Sequence, residues 1–245
     1  MEEQKKEKQI INSYLTIRKI IGILGILLPL IVVAANHFNL LSSISHYYYT
    51  RSAVFFIAIL SVFGLFLVSY DGYPKVNGER FSDNFITHIG GFAALAVVLF
   101  PAKCSGTVGN EICNMYPNSN FPLFGHNCDS IHWIHVAGAL TFFLAMGYMS
   151  VKKFTKGDPD KEGKKLKNDI FKYSGYIIWG VIGVLVIEIA LKLFKIDFQF
   201  TDYDIYIAET IAIVAFGVSW LVKGEAIRDS TEAGKKVWKW IKCEF

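Results

Sequence analysis

Six long apolar stretches, separated by polar segments, dominate the pattern of the chain. A bilayer core requires about 20 mostly apolar residues for each spanning helix. No part of the sequence alternates apolar and polar residues in units of about ten, as an outer-membrane barrel would. The pattern therefore predicts an all-α fold, a polytopic six-helix transmembrane bundle. The predicted spans are 20–35, 53–70, 85–100, 131–150, 173–194 and 205–222.

Lysine and arginine residues are distributed unevenly among the segments between these spans. The N-terminal tail carries five, the loop after the second span two, the loop at 151–172 eight and the C-terminal tail six of the 25 in the chain. Because cytoplasmic loops are enriched in Lys and Arg, both the N and the C terminus are predicted to be cytoplasmic. An even number of spans satisfies that requirement.

The resulting organisation has three parts. A cytoplasmic N-terminal tail covers 1–19, and the six-span transmembrane domain covers 20–222, with an outer loop at 102–129 and an inner loop at 151–172. A basic, amphipathic cytoplasmic tail follows at 223–245. Glycines inside the spans are expected to let helices approach closely. They are Gly22, Gly25, Gly90, Gly91, Gly175, Gly180 and Gly183.

Composition narrows the class of protein further. Hydrophobic residues make up 53% of the chain and charged residues only 19%, whereas a soluble domain carries about a quarter charged residues. A disordered chain, a collagen-like fibre and a small disulfide scaffold are excluded. The formal net charge of +4 is small, which argues against a nucleic-acid partner. Membrane lipids are the expected partners, and a homo-oligomer or a membrane-protein partner is left open.

Four ionisable side chains lie inside the apolar stretches at one predicted height, just beneath the outer face. They are His132 and His135 in the fourth span, Glu188 in the fifth and Glu209 in the sixth. At about 1.5 Å per residue, each falls within one or two turns of the outer boundary. Such groups are costly in a membrane and mark functional sites.

The segment that leads into the second span adds polar groups at the same face. His46, Tyr48 and Arg51 are expected to close over the ionisable layer, and Arg51 offers a bidentate grip on phosphate or carboxylate. The leading hypothesis is a non-enzymatic membrane protein that binds a lipid or amphipathic ligand in this polar pocket, without a cofactor. As an alternative, the tyrosines serve only as an aromatic belt at the interface.

Three other interpretations remain open. His46, His132 and His135 are competent zinc ligands, and an open coordination position would make the protein a metal-dependent intramembrane hydrolase, although no H-E-x-x-H motif is present. A channel or transporter is the second alternative, against which stands the lack of an internal repeat. In a purely structural alternative, the polar groups bond to one another, with Glu188 pairing to Lys192 four residues on.

Three cysteines lie in the predicted outer loop: Cys104, Cys113 and Cys128. An oxidising compartment favours one disulfide there with one thiol left over, and the spacing does not decide the pairing.

Several motifs carry a resemblance to a known group of proteins. They include the run SSISHYYYTR at 42–51, SYDGY at 69–73, LFP at 99–101 and FGVSWLVKGE at 216–225. In these motifs the chain resembles uncharacterised bacterial six-span integral membrane proteins, and its layout is distantly similar to the DRAM-like and FRAG-type proteins linked to lipid handling. The resemblance implies a multi-pass protein of the bacterial inner (cytoplasmic) membrane and adds no defined chemistry.

Overall fold

The fold is built from long α-helices, as the apolar pattern predicts. The computed structural model describes residues 1–73, 75, 77–103, 128–156, 164–196 and 201–225. This part of the chain contains no strand. Its α-helices are α1 (Glu2–Ala35), α2 (Ala53–Val68), α3 (Asp83–Leu99), α4 (Asp129–Tyr148), α5 (Lys164–Leu193) and α6 (Asp204–Lys223). A 3₁₀ helix (Ile44–Tyr49) precedes α2, and a π-helical segment (Met149–Phe154) continues α4.

Four of these helices are long and apolar enough to cross a membrane. They are Glu2–Ala35, Asp129–Phe154, Lys164–Lys192 and Asp204–Lys223. The second and third predicted spans correspond to two shorter apolar helices, Ala53–Val68 and Asp83–Leu99. The structure thus confirms an all-helical fold with several candidate membrane spans, while six spans and the positions of the termini stay predictions.

The helices form a closed ring in chain order, because each packs against its neighbours and α6 packs extensively against α1. Aromatic side chains of alternate helices fill the middle of the ring. Phe216 of α6 lies 5.2 Å from Phe63 of α2 and 5.4 Å from Phe142 of α4, measured between ring centroids. The bundle is therefore packed at its centre, and its larger cavities lie at the two ends.

The two ends of the ring differ in chemistry. One end holds the 3₁₀ helix and the N-termini of α2, α4 and α6, and it carries His46, His132 and His135; we call it the histidine end. The opposite end holds the segments at 69–73 and 77–82, the N-terminus of α5 and the C-terminus of α6. Because it is rich in lysine, we call it the basic end. Contacts such as Ser52 Oγ to Val32 O (2.6 Å) and Arg18 Nη2 to Tyr70 Oη (3.1 Å) join neighbouring helices at the two ends.

Glycine pairs set the closest helix approaches. A Cβ atom on Gly217 of α6 would lie 2.6 Å from the carbonyl oxygen of Gly22 in α1, and one on Gly91 would lie 2.7 Å from that of Gly64. Close contacts also surround Gly25, Gly90 and Gly175, as predicted. The prediction is wrong for Gly180 and Gly183, where an added Cβ meets nothing within 4 Å, because these residues do not lie in a helix contact.

Candidate functional site

A cavity of about 600 Å³ opens at the histidine end between α4, α5, α6 and the segment that leads into the 3₁₀ helix. This volume falls within the range of small-molecule sites, about 300–1,000 Å³. The cavity, which we call the histidine-end cavity, is lined along α4 from His132 to Phe143 and along α5 from Ile182 to Lys192. It therefore runs about three helical turns into the bundle.

Glu209 of α6 lines this cavity and holds the 3₁₀ helix in place. Its carboxylate accepts a hydrogen bond from the backbone N–H of Ile44 (2.6 Å) and from the hydroxyl of Ser43 (2.9 and 3.1 Å to its two oxygens). A side chain of α6 thus fixes the segment that precedes α2.

His135 of α4 lies beside this group and is buried, with 4% of its surface exposed. Its Nε2 atom lies 2.9 Å from Ser45 Oγ, and its Nδ1 atom lies 2.8 Å from the carbonyl oxygen of Phe100. Since that carbonyl can only accept, Nδ1 carries the proton and Nε2 accepts from the serine. Ser45 therefore links the 3₁₀ helix to α4.

His46 and His132 meet at the backbone of Lys103. The Lys103 N–H donates to His132 Nδ1 (3.1 Å), and His46 Nδ1 lies 3.0 Å from Ser42 Oγ. Burial lowers the pKa of His46 below its ordinary value of 6.5; the charge of His132 acts in the same direction, and a hydrogen bond with the Lys103 backbone opposes it. His46 is accordingly neutral at pH 7.

Glu188 lies on the opposite wall of the cavity and pairs with Lys192, one turn later on α5, at 2.6 Å. This confirms the i,i+4 ion pair that the sequence offers as the structural alternative. Below the pair the walls become apolar. The lining there includes Val136, Ala139, Leu140, Phe143, Ile182, Leu185 and Ile189.

The structure brings five of the seven predicted ligand-binding residues into one cavity. They are His46, His132, His135, Glu188 and Glu209. Arg51 and Tyr48 do not line it. Arg51 is exposed and its guanidinium contacts the imidazole of His37, while Tyr48 packs edge-on against Tyr49 and Phe56. The predicted phosphate grip is absent from the cavity because Arg51 turns toward the end of α1.

The predicted zinc set does not assemble from His46, His132 and His135. Within the described ranges, no group of three His, Cys, Asp or Glu residues is placed to hold a metal ion. Both ring nitrogens of His135 are in hydrogen bonds, and Nδ1 of His132 accepts a hydrogen bond from the Lys103 N–H. These residues do not fit a zinc centre.

The disulfide prediction stays untested. Cys104 and Cys113 lie outside the described residues, and Cys128 is an exposed thiol without a disulfide in the part of the chain that the structure describes.

Sequence reasoning missed the serines that organise the site. Ser43 and Ser45 are buried, and their hydroxyls connect Glu209 to one side and His135 to the other. The run Ser-Ser-Ile-Ser before His46 contained the signal, since closely spaced hydroxyls ahead of a helical turn typically bond to backbone and side-chain partners.

Comparison with known proteins adds no assignment. No protein-family model, no curated protein and no solved structure matches this chain. The resemblance to bacterial six-span membrane proteins therefore stays a prediction that depends on the sequence motifs alone.

Proposed function

We propose that the protein is a six-span integral membrane protein of the bacterial cytoplasmic membrane, with both termini in the cytoplasm. Every helix of the ring presents large exposed apolar side chains outward, including Leu30, Leu65, Phe92, Leu144, Ile187 and Ile211. Large apolar patches of this kind on a protein surface mark contact with other molecules or with a membrane. The two shorter helices also carry exposed apolar side chains, which supports their assignment as membrane spans.

The length of these shorter helices does not oppose the proposal. Ala53–Val68 and Asp83–Leu99 have 16 and 17 residues, which gives about 24–26 Å of helix. The hydrocarbon core is about 30 Å thick, and a short span adapts by thinning the bilayer or by using its flanking residues. In a closed ring that alternates direction, both helices must run from one end of the bundle to the other.

Within this framework, we propose that the histidine-end cavity binds a lipid or another amphipathic molecule. The observation that carries the proposal is the division of the cavity into a polar mouth and an apolar interior about three turns deep. Such a division fits a polar head near Ser43, His46 and His132 and an apolar chain along Leu140 and Leu185. The hydrolase and transport alternatives stay predictions that no arrangement of the described side chains favours.

The charges around the cavity favour a neutral or amine-bearing head. Glu188, Glu209, Asp202 and Asp204 line the cavity, against one lysine, Lys192. Lys192 is already paired with Glu188. A bare phosphate would meet more negative than positive charge there, whereas hydroxyls or an ammonium group would find acceptors.

A substitution that fills the apolar interior tests the proposal. Ala139→Phe adds an aromatic ring to the lining between α4 and α5, so it is expected to abolish retention of a bound lipid-sized molecule. Ala137→Phe, on the exposed face of the same helix, is the matched control and is expected to retain it. Arg51→Ala is also expected to retain it, because Arg51 lies outside the cavity.

The measurement is native mass spectrometry of the purified full-length protein after detergent exchange, followed by extraction and identification of the retained lipid. Equal retention by wild type and Ala139→Phe would show that the cavity does not hold the ligand.

A further inference from the structure

A second cavity, of about 690 Å³, lies at the basic end, opposite the histidine-end cavity. We call it the basic-end cavity. It is bounded by the first half of α1, the segment after α2, the π-helical end of α4, the start of α5 and the last turn of α6. Its size is that of a small-molecule site.

Positive charge predominates in the lining of this cavity. Arg18, Lys156, Lys164, Lys167 and Lys223 line it, against the two carboxylates of Asp71 and Glu225. Asp71 accepts a hydrogen bond from Asn84 at 2.7 Å.

Lys156 is committed to carboxylates outside the lining. It pairs with Glu79 and with Asp83, at 3.2 Å for the latter. Burial alone would lower the pKa of Lys156, but its hydrogen bonds to these two carboxylates raise it. The ammonium group of Lys156 is therefore already neutralised by its two partners.

Among these residues, Arg18 gives the clearest evidence of an uncompensated positive charge. It has 9% of its surface exposed, and its Nε atom is buried without a hydrogen-bond partner in the described part of the chain. Its guanidinium lies over the ring of Tyr14, 4.1 Å from the centroid, and donates to Tyr70 Oη. Among the described residues, no carboxylate lies within ion-pairing distance of it. A buried charge without a counter-charge is costly.

Lys223, at the end of α6, adds a second cation without a counter-charge. Its ammonium lies 5.1 Å from the ring centroid of Phe154 and 5.5 Å from that of Tyr73. In the part of the chain that the structure covers, it forms no ion pair. The charges of Arg18, Lys164 and Lys156 repel it, and the carboxylate of Asp83 attracts it less strongly than Arg18 and Lys164 repel it. An anion between Arg18 and Lys223 would relieve this repulsion.

We propose that the basic-end cavity binds a phosphate group, held between the guanidinium of Arg18 and the ammonium of Lys223. Guanidinium groups bind phosphate oxygens in bidentate fashion, and lysine adds a point charge. The aromatic rings of Tyr14, Phe154 and Phe171 cover the remainder of the ligand. The phosphate belongs either to an anionic phospholipid of the adjoining leaflet or to a soluble molecule. The proposal is independent of the ligand at the histidine end.

Two titrations of the full-length protein test the proposal and distinguish these sources. In detergent without added lipid, inorganic phosphate is titrated while the thermal unfolding midpoint is followed. In vesicles, phosphatidylcholine alone is compared with mixtures that contain increasing phosphatidylglycerol. A rise in the midpoint with phosphate identifies a site open to soluble phosphate, and a rise only with phosphatidylglycerol identifies a lipid headgroup site. No rise in either titration would overturn the proposal.

Substitutions test whether the rise in the unfolding midpoint arises from binding in the basic-end cavity. Arg18→Gln and Lys223→Gln are each expected to weaken the apparent affinity about tenfold or more, because each removes a charge-assisted contact. Lys165→Gln, an exposed neighbour on α5 outside the lining, is expected to leave it unchanged. Should Arg18→Gln fail to fold, Lys223→Gln decides the question, since its side chain is only partly buried. A wild-type response in Lys223→Gln would contradict the proposed site.

Discussion

At the scale of single residues, Glu209 makes the contact on which the histidine end depends. Its bond to the Ile44 N–H joins positions 165 residues apart in the chain. Burying an acidic side chain in an apolar stretch is energetically unfavourable. Here the hydrogen bonds from the Ile44 N–H and the Ser43 hydroxyl offset this cost, and these donors would otherwise be buried without acceptors. The 3₁₀ helix is thereby fixed against α6, where its serines reach His135.

We expect Glu209→Ala to destabilise the protein by about 1–3 kcal/mol, because the Ile44 N–H and the Ser43 hydroxyl lose their acceptor. Denaturant unfolding of the purified protein, followed by circular dichroism, measures the effect. Combining the substitution with Ser43→Ala completes a double-mutant cycle, in which a clearly non-additive result is expected. Additive effects would show that the two side chains do not interact.

At the scale of helices, backbone contact between glycines sets how closely the elements pack. In α1 and α6, Gly22 and Gly217 face each other so closely that an added Cβ would press on backbone atoms, which cannot move aside. Gly183 of α5 is also a glycine in an apolar helix, but it makes no such contact. Spacing in the sequence does not separate the two cases.

These two glycines form a matched pair for experiment. Gly217→Ala is expected to destabilise the fold by about 1–3 kcal/mol through overpacking. Gly183→Ala is expected to be neutral or slightly stabilising, since alanine is the better helix former. The midpoint of thermal unfolding of each variant measures the difference. Comparable losses in both would mean that α1 and α6 are not in close contact.

A buried ion pair ties the π-helical end of α4 to the start of α3 and the segment before it. Lys153, with 2% of its side chain exposed, lies 3.1 Å from the Asp83 carboxylate and 3.2 Å from that of Glu79. Lys153→Met removes one partner from a buried pair, a change that costs about 3–5 kcal/mol. We expect a loss at the lower end, because Lys156 still faces both carboxylates.

The neighbouring residue supplies the control for this prediction. Lys152→Met changes an exposed lysine in the same segment and is expected to alter the free energy of unfolding by less than about 0.5 kcal/mol. Equal effects of the two substitutions in chemical denaturation would refute the buried ion pair.

At the scale of the whole molecule, the proposed six-span topology predicts which loops lie on the same side of the membrane. Single cysteines at Asn39, Asn77 and Ser130, all exposed positions, are introduced after the four native cysteines are replaced by serine. In intact cells, an impermeant maleimide is expected to label positions 39 and 130. Position 77 is expected to react only after permeabilisation. Labelling of position 77 from outside would remove α2 and α3 from the set of spans.

The sequence by itself determined the six apolar helices and the set of polar residues at one height. Helices α1 and α5 nevertheless begin earlier than their predicted spans, at Glu2 and Lys164, within segments predicted as a tail and a loop. Runs of apolar residues decide helix position strongly, because a bilayer leaves few other ways to satisfy the backbone. The same reasoning located Glu188, Glu209, His132 and His135, since depth along a helix follows directly from residue number.

Only the tertiary structure decided which way these side chains face and what they bond. Residue number gives the height of Arg51 but not its rotation toward His37. Likewise, no local sequence pattern predicts the contact between Ser45 and His135, which are 90 residues apart in the chain. Nor does one predict that Arg18 is buried beside Tyr70. Such contacts depend on how the helices close into a ring, a packing property of all six together.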